Sequence, residues 1–156
     1  MATTCLNYLN YPKLGNGGRR FLQRYPFLEY AAQFWGVHAR TAYDDEIQAE
    51  SVRFVSSRAK MCLWNCLTPD WRPRSKLINF LKDLEPPSAI EVAAFYKLDL
   101  LARPMLCSSE GLPKATIAQQ ASALLIACGN GSAEITNLLL AQNPSILDLS
   151  LLWLVR

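Results

Sequence analysis

Apolar residues recur at intervals of three and four along most of the chain, and this spacing constrains the fold more than any other feature. It places apolar side chains on one face of a helix, whereas a half-buried strand needs strict alternation. The densest stripe, between Tyr25 and Arg40, consists of Phe27, Tyr30, Ala31, Phe34 and His38, and it is widened by Leu28, Ala32 and Trp35. No alternating pattern of useful length occurs. The sequence therefore predicts an all-α fold, with this helix as a central packing element.

Capping and breaking residues divide the first half into further elements. The chain up to Gly18 is expected to be a short extended piece followed by a glycine-rich loop. The acidic residues Asp44, Asp45 and Glu46 predict the start of a helix that runs to Thr68-Pro69. Its expected apolar face is Val52, Val55, Ala59, Cys62, Leu63 and Cys66. After a loop, Ser75 is expected to cap a short helix that carries Leu77, Ile78, Leu81 and Leu84.

The segment Glu85-Pro86-Pro87 is the clearest boundary in the chain. Ser88 and Glu91 then form a Ser-x-x-Glu capping box, which predicts the start of another helix. Short helices are expected at about 89–96, 99–107, 116–128, 132–142 and 145–155, with Pro104 kinking or shortening the second. The prediction is one helical domain, 1–156, built as an array of antiparallel helix pairs, with regions 1–84 and 85–156.

The second region contains an internal repeat. Residues 90–106 align with residues 124–140 at an offset of 34 positions. The later copy, with Ala127-Cys128, Gly131, Glu134 and a closing Leu138-Leu139-Leu140, resembles an ankyrin repeat, whose period is about 33 residues. It lacks the usual Thr-Pro-Leu-His opening, and Lys97 stands where the earlier copy needs a turn glycine. The resemblance implies that the array ends in two degenerate ankyrin-like repeats.

Two segments of the first region carry a second resemblance. Thr4 to Leu9 and, after a spacer, Tyr25 to Arg40 closely resemble a segment of fungal NACHT–ankyrin (NLR-like) proteins, and the similarity is weaker up to Leu84. In that family the segment joins the nucleotide-binding module to the ankyrin array. The chain has no Walker A motif, Gly-x-x-x-x-Gly-Lys-Ser/Thr, so nucleotide hydrolysis is not implied. The resemblance implies a linker followed by the first repeats of such a protein.

Composition and charge exclude several classes of protein. With 51% hydrophobic residues the chain is not intrinsically disordered. The net charge of +3 is lower than a dedicated nucleic-acid binder usually carries. The longest apolar stretch, Leu147 to Val155, is interrupted by Asp148 and Ser150 and is much shorter than the ~20 residues of a membrane span. Five cysteines without a compact framework, and no secretory signal, predict reduced thiols in a cytoplasmic protein.

No residue pattern predicts a catalytic, metal or cofactor site. His38 is the only histidine, and a Cys-His pair would need it together with Cys62 or Cys66, but a buried hydrogen-bonding histidine is the preferred interpretation. We expect backbone carbonyls, or an acidic group near Asp44, as its partners. Cys62 and Cys66 offer two metal ligands where zinc needs three or four, so they are interpreted as core residues.

Binding residues are easier to nominate. Trp71 lies beside Arg72 and Arg74 in an expected loop, and an exposed tryptophan flanked by arginines is typical of an interface hot spot. Tyr30, Trp35 and His38 are the other candidates.

Two functions fit these observations. The first is a non-enzymatic helical module that binds a partner protein. The second is a small helical protein, such as a fungal metabolic enzyme, whose two halves enclose a pocket that binds or converts a small molecule. A deep cavity lined by Tyr30, Trp35 and His38 would favour the second function, and a shallow groove would favour the first.

Overall fold

The computed structural model describes residues 1–12, 24–68, 86–107 and 114–148. Throughout these ranges the regular structure is helical and there is no strand, so the predicted all-α fold is confirmed there. The chain divides into two compact units, unit 1 (Met1–Pro69) and unit 2 (Asp70–Arg156). The glycine-rich loop, the helix expected after Ser75 and most of the helix expected at 145–155 lie outside the described residues.

Unit 1 contains four described helices: α1 (Ala2–Leu9), α2 (Leu28–Thr41), α3 (Asp45–Val55) and α4 (Arg58–Leu67). Helices α1 and α4 each pack against both α2 and α3. The side chains buried among them include Cys5, Leu6, Leu9, Leu28, Trp35, Ile47, Phe54, Met61 and Trp64. The first segment is therefore a helix that contributes to a core, and the expectation of an extended piece is wrong.

Helix α2 buries a different face from the one that its aromatic residues suggest. The buried residues are Leu28, Ala31, Ala32, Trp35, Gly36 and Ala39, whereas Tyr30 and Phe34 are exposed. Small side chains let the neighbouring helices approach closely, so packing selects the face that is rich in alanine and glycine. Trp35 completes that face with an edge-to-face contact to Phe54, at 5.4 Å between ring centroids.

The single helix expected between Asp44 and Thr68 is two helices, because the chain leaves the helical conformation at Ser56-Ser57. The break rotates α4 about its axis relative to the single helix that was expected. The residues that α4 buries are therefore Met61, Trp64 and Leu67. Cys62 and Cys66 are exposed, and their interpretation as core residues is wrong. The start of α3 is confirmed, since the Asp44 carboxylate accepts the Ile47 N–H at 2.8 Å.

Unit 2 contains the described helices α5 (Ala89–Tyr96), α6 (Asp99–Leu106), α7 (Ile117–Asn130) and α8 (Ala133–Gln142). Each lies within two residues of the expected bounds. The predicted capping box is present: the Ser88 N–H and hydroxyl both donate to the Glu91 carboxylate, at 2.8 and 2.7 Å. Glu91 also accepts the Ser122 hydroxyl at 2.5 Å, which joins the start of α5 to α7.

The helices of unit 2 form two hairpins of the same construction. Left-handed residues, Lys97 with φ 59° and Gly131 with φ 67°, connect α5 to α6 and α7 to α8. A backbone hydrogen bond closes each turn. The Leu98 N–H donates to the Ala93 carbonyl at 2.9 Å, and the Ser132 N–H donates to the Ala127 carbonyl at 2.8 Å. These features are offset by 34 residues, as in the sequence repeat. Helix α5 packs against α7 and α6 against α8, so corresponding helices of the two hairpins stack.

The two hairpins also bury corresponding residues. The buried pairs at the same offset include Ile90 and Leu124, Val92 and Ile126, Ala93 and Ala127, Leu101 and Ile135, and Met105 and Leu139. Stacking buries the face that one hairpin alone would leave open to water, which is how helical repeats build a continuous core.

Candidate functional site

The structure describes three of the six residues that the sequence nominates for binding, and it does not bring these three into one pocket. Tyr30 and His38 are in contact on the solvent-accessible part of α2, whereas Trp35 is 0% exposed. Since no part of Trp35 is accessible to water, these three residues do not line a common pocket. Trp71, Arg72 and Arg74 lie outside the described residues.

His38 has a different environment from the one that the sequence predicts. It is only half-buried, and its Nε2 atom forms a hydrogen bond of 2.9 Å with the Tyr30 hydroxyl. The two rings lie along the same face of α2, with centroids 6.0 Å apart. His38 therefore belongs to a surface pair, not to the buried core with a carbonyl or acidic partner.

Tyr30 is part of a larger feature, which we call the aromatic row. Six rings follow one another in contact, in the order Tyr11, Tyr25, Tyr8, Phe27, Tyr30 and Phe34. Consecutive centroids are 6.4, 6.2, 5.4, 5.2 and 4.9 Å apart, which is the range of attractive aromatic pairs. Tyr11, Tyr30 and Phe34 are 46, 37 and 40% exposed. The row thus presents a continuous aromatic surface to solvent.

Helices α1 and α2 supply three rings of the aromatic row, because each helix buries its other face. On α2, Tyr30 and Phe34 are four residues apart, so they are neighbours on one face, and both are exposed while Trp35 is buried. On α1, burial of Leu6 and Leu9 leaves Tyr8 at the surface. The packing of α1 against α2 then brings Tyr8 to Phe27, with their rings nearly perpendicular.

A pocket of about 580 Å³ lies at one end of the row. It is lined by Thr3, Thr4, Asn7, Tyr8, Tyr11 and Tyr25, so three of the six rings belong to both features. Sequence reasoning missed the pocket because it treated the first segment as extended. The signal was present in the helical spacing of Thr4, Tyr8 and Tyr11.

A polar cluster fixes the end of α1 beside Tyr11. The Asn10 amide donates to the backbone carbonyl of Glu50 at 2.9 Å and to its carboxylate at 2.7 Å, and the Asn10 side-chain oxygen accepts from Lys60 Nζ at 2.7 Å. Burial lowers the pKa of Lys60, nearby Arg53 lowers it further, and the Glu50 carboxylate opposes the shift. One side chain therefore connects α1 to both α3 and α4.

The thiol of Cys5 is poorly placed to act as a nucleophile. Cys5 is buried, and burial raises the pKa of its thiol, which keeps it protonated and poorly nucleophilic. Among the residues that the structure describes, no group of three or more His, Cys, Asp and Glu side chains could hold a metal ion. Within the same residues, no helix combines the length and the apolar character needed to cross a membrane.

Comparisons with known proteins place the chain in no family. No protein-family model, curated protein or solved structure matches it.

Proposed function

We propose that the chain is a non-enzymatic helical module that binds a partner protein through the aromatic row of unit 1. The observation that carries this proposal is the unbroken contact of six rings, three of them more than a third exposed. Large aromatic side chains are enriched at the centres of protein interfaces, where they supply apolar area at a low entropic cost. A contiguous exposed patch of this kind is typical of a binding surface.

Unit 2 supplies a scaffold for the same function. Its stacked hairpins, offset by 34 residues, support an assignment as degenerate ankyrin-like repeats, such as follow the linker in fungal NACHT–ankyrin proteins. Repeats of this type bind proteins and need no catalytic residue. All five cysteines are free thiols, which supports a cytoplasmic location. Trp71, Arg72 and Arg74 stay candidates for a second contact.

Site-specific crosslinking tests the role of the aromatic row. A photoreactive benzoylphenylalanine replaces Phe34 in the full chain, and the same group replaces Ile117, which is 54% exposed in unit 2, in the control. Irradiation in a lysate of the source cells should give a discrete adduct from position 34 and little or none from position 117. Tyr30→Ala should then reduce the yield from position 34 by about tenfold, since interface tyrosines are frequent hot spots.

Two results would contradict the proposal. Equal adduct yields from the two positions would show that the aromatic row has no preference for a partner. An adduct that Tyr30→Ala leaves unchanged would show that the neighbouring ring does not contribute to binding. Circular dichroism of each variant verifies that the helical content is retained.

A further inference from the structure

The exposed surface of α2 carries a narrow apolar stripe. Tyr30, Phe34 and Val37 are 37, 40 and 45% exposed, and Thr41 continues the series at the end of the helix. Because each residue adds about 100° of rotation, these four side chains lie within about 60° of one another around the helix. Their spacing of four, three and four residues is the one with which two helices interlock side chains along a common seam. The stripe therefore has the form of one half of a helix–helix contact.

Two charges of opposite sign lie along one flank of this stripe. Glu29 is exposed in the first turn of α2, and Arg40 is exposed in its last turn. They are about three full turns apart, so they project from the same flank of the helix, about 16 Å apart along its axis. Among the residues that the structure describes, Arg40 forms no ion pair, and the Glu29 carboxylate accepts one hydrogen bond, of 3.4 Å, from Gln33. Both charges are therefore available to a partner.

The stripe and its two charges are complementary to themselves. When two copies of a helix pack antiparallel about a two-fold axis, the same flank of each helix faces the other, and the start of one lies beside the end of its neighbour. Matching the two stripes places Phe34 level with Val37 of the second copy. In that register Glu29 lies within about 3 Å, measured along the axis, of Arg40 of the second copy. Two ion pairs then form at once, whereas parallel packing would bring like charges together.

We infer that the protein that covers this part of the aromatic row is a second copy of the chain, with the two α2 helices packed antiparallel. The inference rests on the proposed function, because it names the partner that the row binds. An interface centred on one helix of 14 residues is small, and small interfaces belong to reversible complexes. We therefore expect a dissociation constant of roughly 10–100 μM.

The test is sedimentation equilibrium of the full chain at low ionic strength, over about 5–500 μM, a range that brackets the expected dissociation constant. The parent should pass from monomer to dimer as its concentration rises. Glu29→Arg should weaken the dimer about tenfold, because each ion pair becomes a contact between two arginines. Glu134→Arg is the matched control, since Glu134 is exposed in unit 2 and the net charge changes equally. It should alter the dissociation constant less than about twofold.

A mixture of two charge variants separates ion pairing from any defect of folding. Arg40→Glu alone should also weaken the dimer, because it places two carboxylates in contact. Chains with Glu29→Arg and chains with Arg40→Glu, mixed in equal amounts, should associate at least as tightly as the parent, since both contacts again join opposite charges. Phe34→Ala should weaken the parent dimer about tenfold. A mixture that associates no more tightly than either variant alone, or a dimer unaffected by Phe34→Ala, would overturn the inference.

Crosslinking at position 34 distinguishes this inference from the proposed function. In the purified full chain, the benzoylphenylalanine should attach to α2 of a second copy, close to Val37, and mass spectrometry of the peptides locates the attachment. A chain that stays monomeric at about 500 μM, while position 34 captures a different protein from the lysate, would overturn the second copy and leave the interaction module standing. Equal adduct yields from positions 34 and 117, together with a monomeric chain, would contradict both.

Discussion

Lys97 and Gly131 adopt the same left-handed backbone conformation at equivalent turns of two helical hairpins, 34 residues apart. The equivalence extends to the closing hydrogen bonds, which join Leu98 to Ala93 and Ser132 to Ala127. The same turn therefore forms with either lysine or glycine at the left-handed position. Lysine bears a conformational cost at this position that glycine does not.

Replacing Lys97 by glycine should therefore stabilise the protein. The left-handed conformation is unfavourable for a residue with a Cβ atom. Removing this cost stabilises the folded protein by more than the greater conformational freedom of glycine stabilises the unfolded chain. We expect Lys97→Gly to raise the free energy of unfolding by about 0.5–1 kcal/mol in urea denaturation. Lys114→Gly is the control for the greater freedom that glycine gives the unfolded chain, and it should be neutral or destabilising. A loss of stability in both variants would contradict the account of the turn.

Gly129 and Gly131, at the turn between α7 and α8, should respond in opposite ways to replacement by alanine. A Cβ atom at Gly129 or at Gly131 would meet no other atom within 4 Å, so steric clashes do not decide the outcome. Gly129 lies inside α7, where alanine is favoured, and Gly129→Ala should stabilise by about 0.5–1 kcal/mol. Gly131→Ala should destabilise by about 1–2 kcal/mol, because of its positive φ. Urea denaturation of the pair tests this, and changes of the same sign would disprove it.

The helices of unit 2 could be predicted from the sequence because their signals are local. Ser88 with Glu91, and Gly131 at the hairpin turn, act within a few residues of the helix ends that they set. The buried face of α2 could not be chosen in this way. Its aromatic stripe and its alanine-rich stripe both have helical spacing, and only the neighbouring helices α1 and α4 decide which one is buried.

The helical spacing of the α1 tyrosines was visible in the sequence, but the pocket itself could not be predicted, for a related reason. Tyr8 and Tyr25 come together only through the packing of α1 against α2. An eight-residue helix such as α1 is also too short to form reliably from its own propensity, so tertiary contacts must stabilise it. The break at Ser56-Ser57 shows the same limitation, since no proline or glycine marks it.

Asn10 should be among the most sensitive polar residues of unit 1. Alanine at this position removes the hydrogen bonds to Glu50 and the acceptor of the Lys60 ammonium group. Because the Lys60 ammonium group and the Glu50 carboxylate are partly buried, we expect a loss of about 1.5–3 kcal/mol in the free energy of unfolding. Asn7→Ala on the exposed side of the same helix is the control and should lie within about 0.5 kcal/mol of the parent. Similar losses from both variants would assign the effect to α1 itself and not to the cluster.

Cys5 predicts a dependence of stability on pH. Burial raises the pKa of its thiol above the ordinary value of 9.0, so the folded protein holds the proton more tightly than the unfolded chain does. The corresponding stabilisation is complete below the unfolded pKa and is lost as the pH rises from about 9 through the folded pKa. Urea denaturation between pH 8 and pH 10, values chosen about one unit either side of the thiol pKa, should show a steeper loss for the parent than for Cys5→Ala. Cys62→Ala removes an exposed thiol and should keep the slope of the parent. An unchanged slope in Cys5→Ala would refute this assignment.

Trp35 and Phe34 are neighbours in sequence with opposite environments, and they give the sharpest test of the α2 orientation. Trp35 is fully buried against Phe54, so Trp35→Ala should lower the free energy of unfolding by about 3–5 kcal/mol. Phe34 is 40% exposed at the end of the aromatic row, so Phe34→Ala should change it by no more than about 0.5 kcal/mol. The same Phe34 variant should nevertheless lose partner binding, because an exposed ring contributes its contact area only when a partner covers it. The orientation would be disproved by a large loss of stability in Phe34→Ala together with a small one in Trp35→Ala.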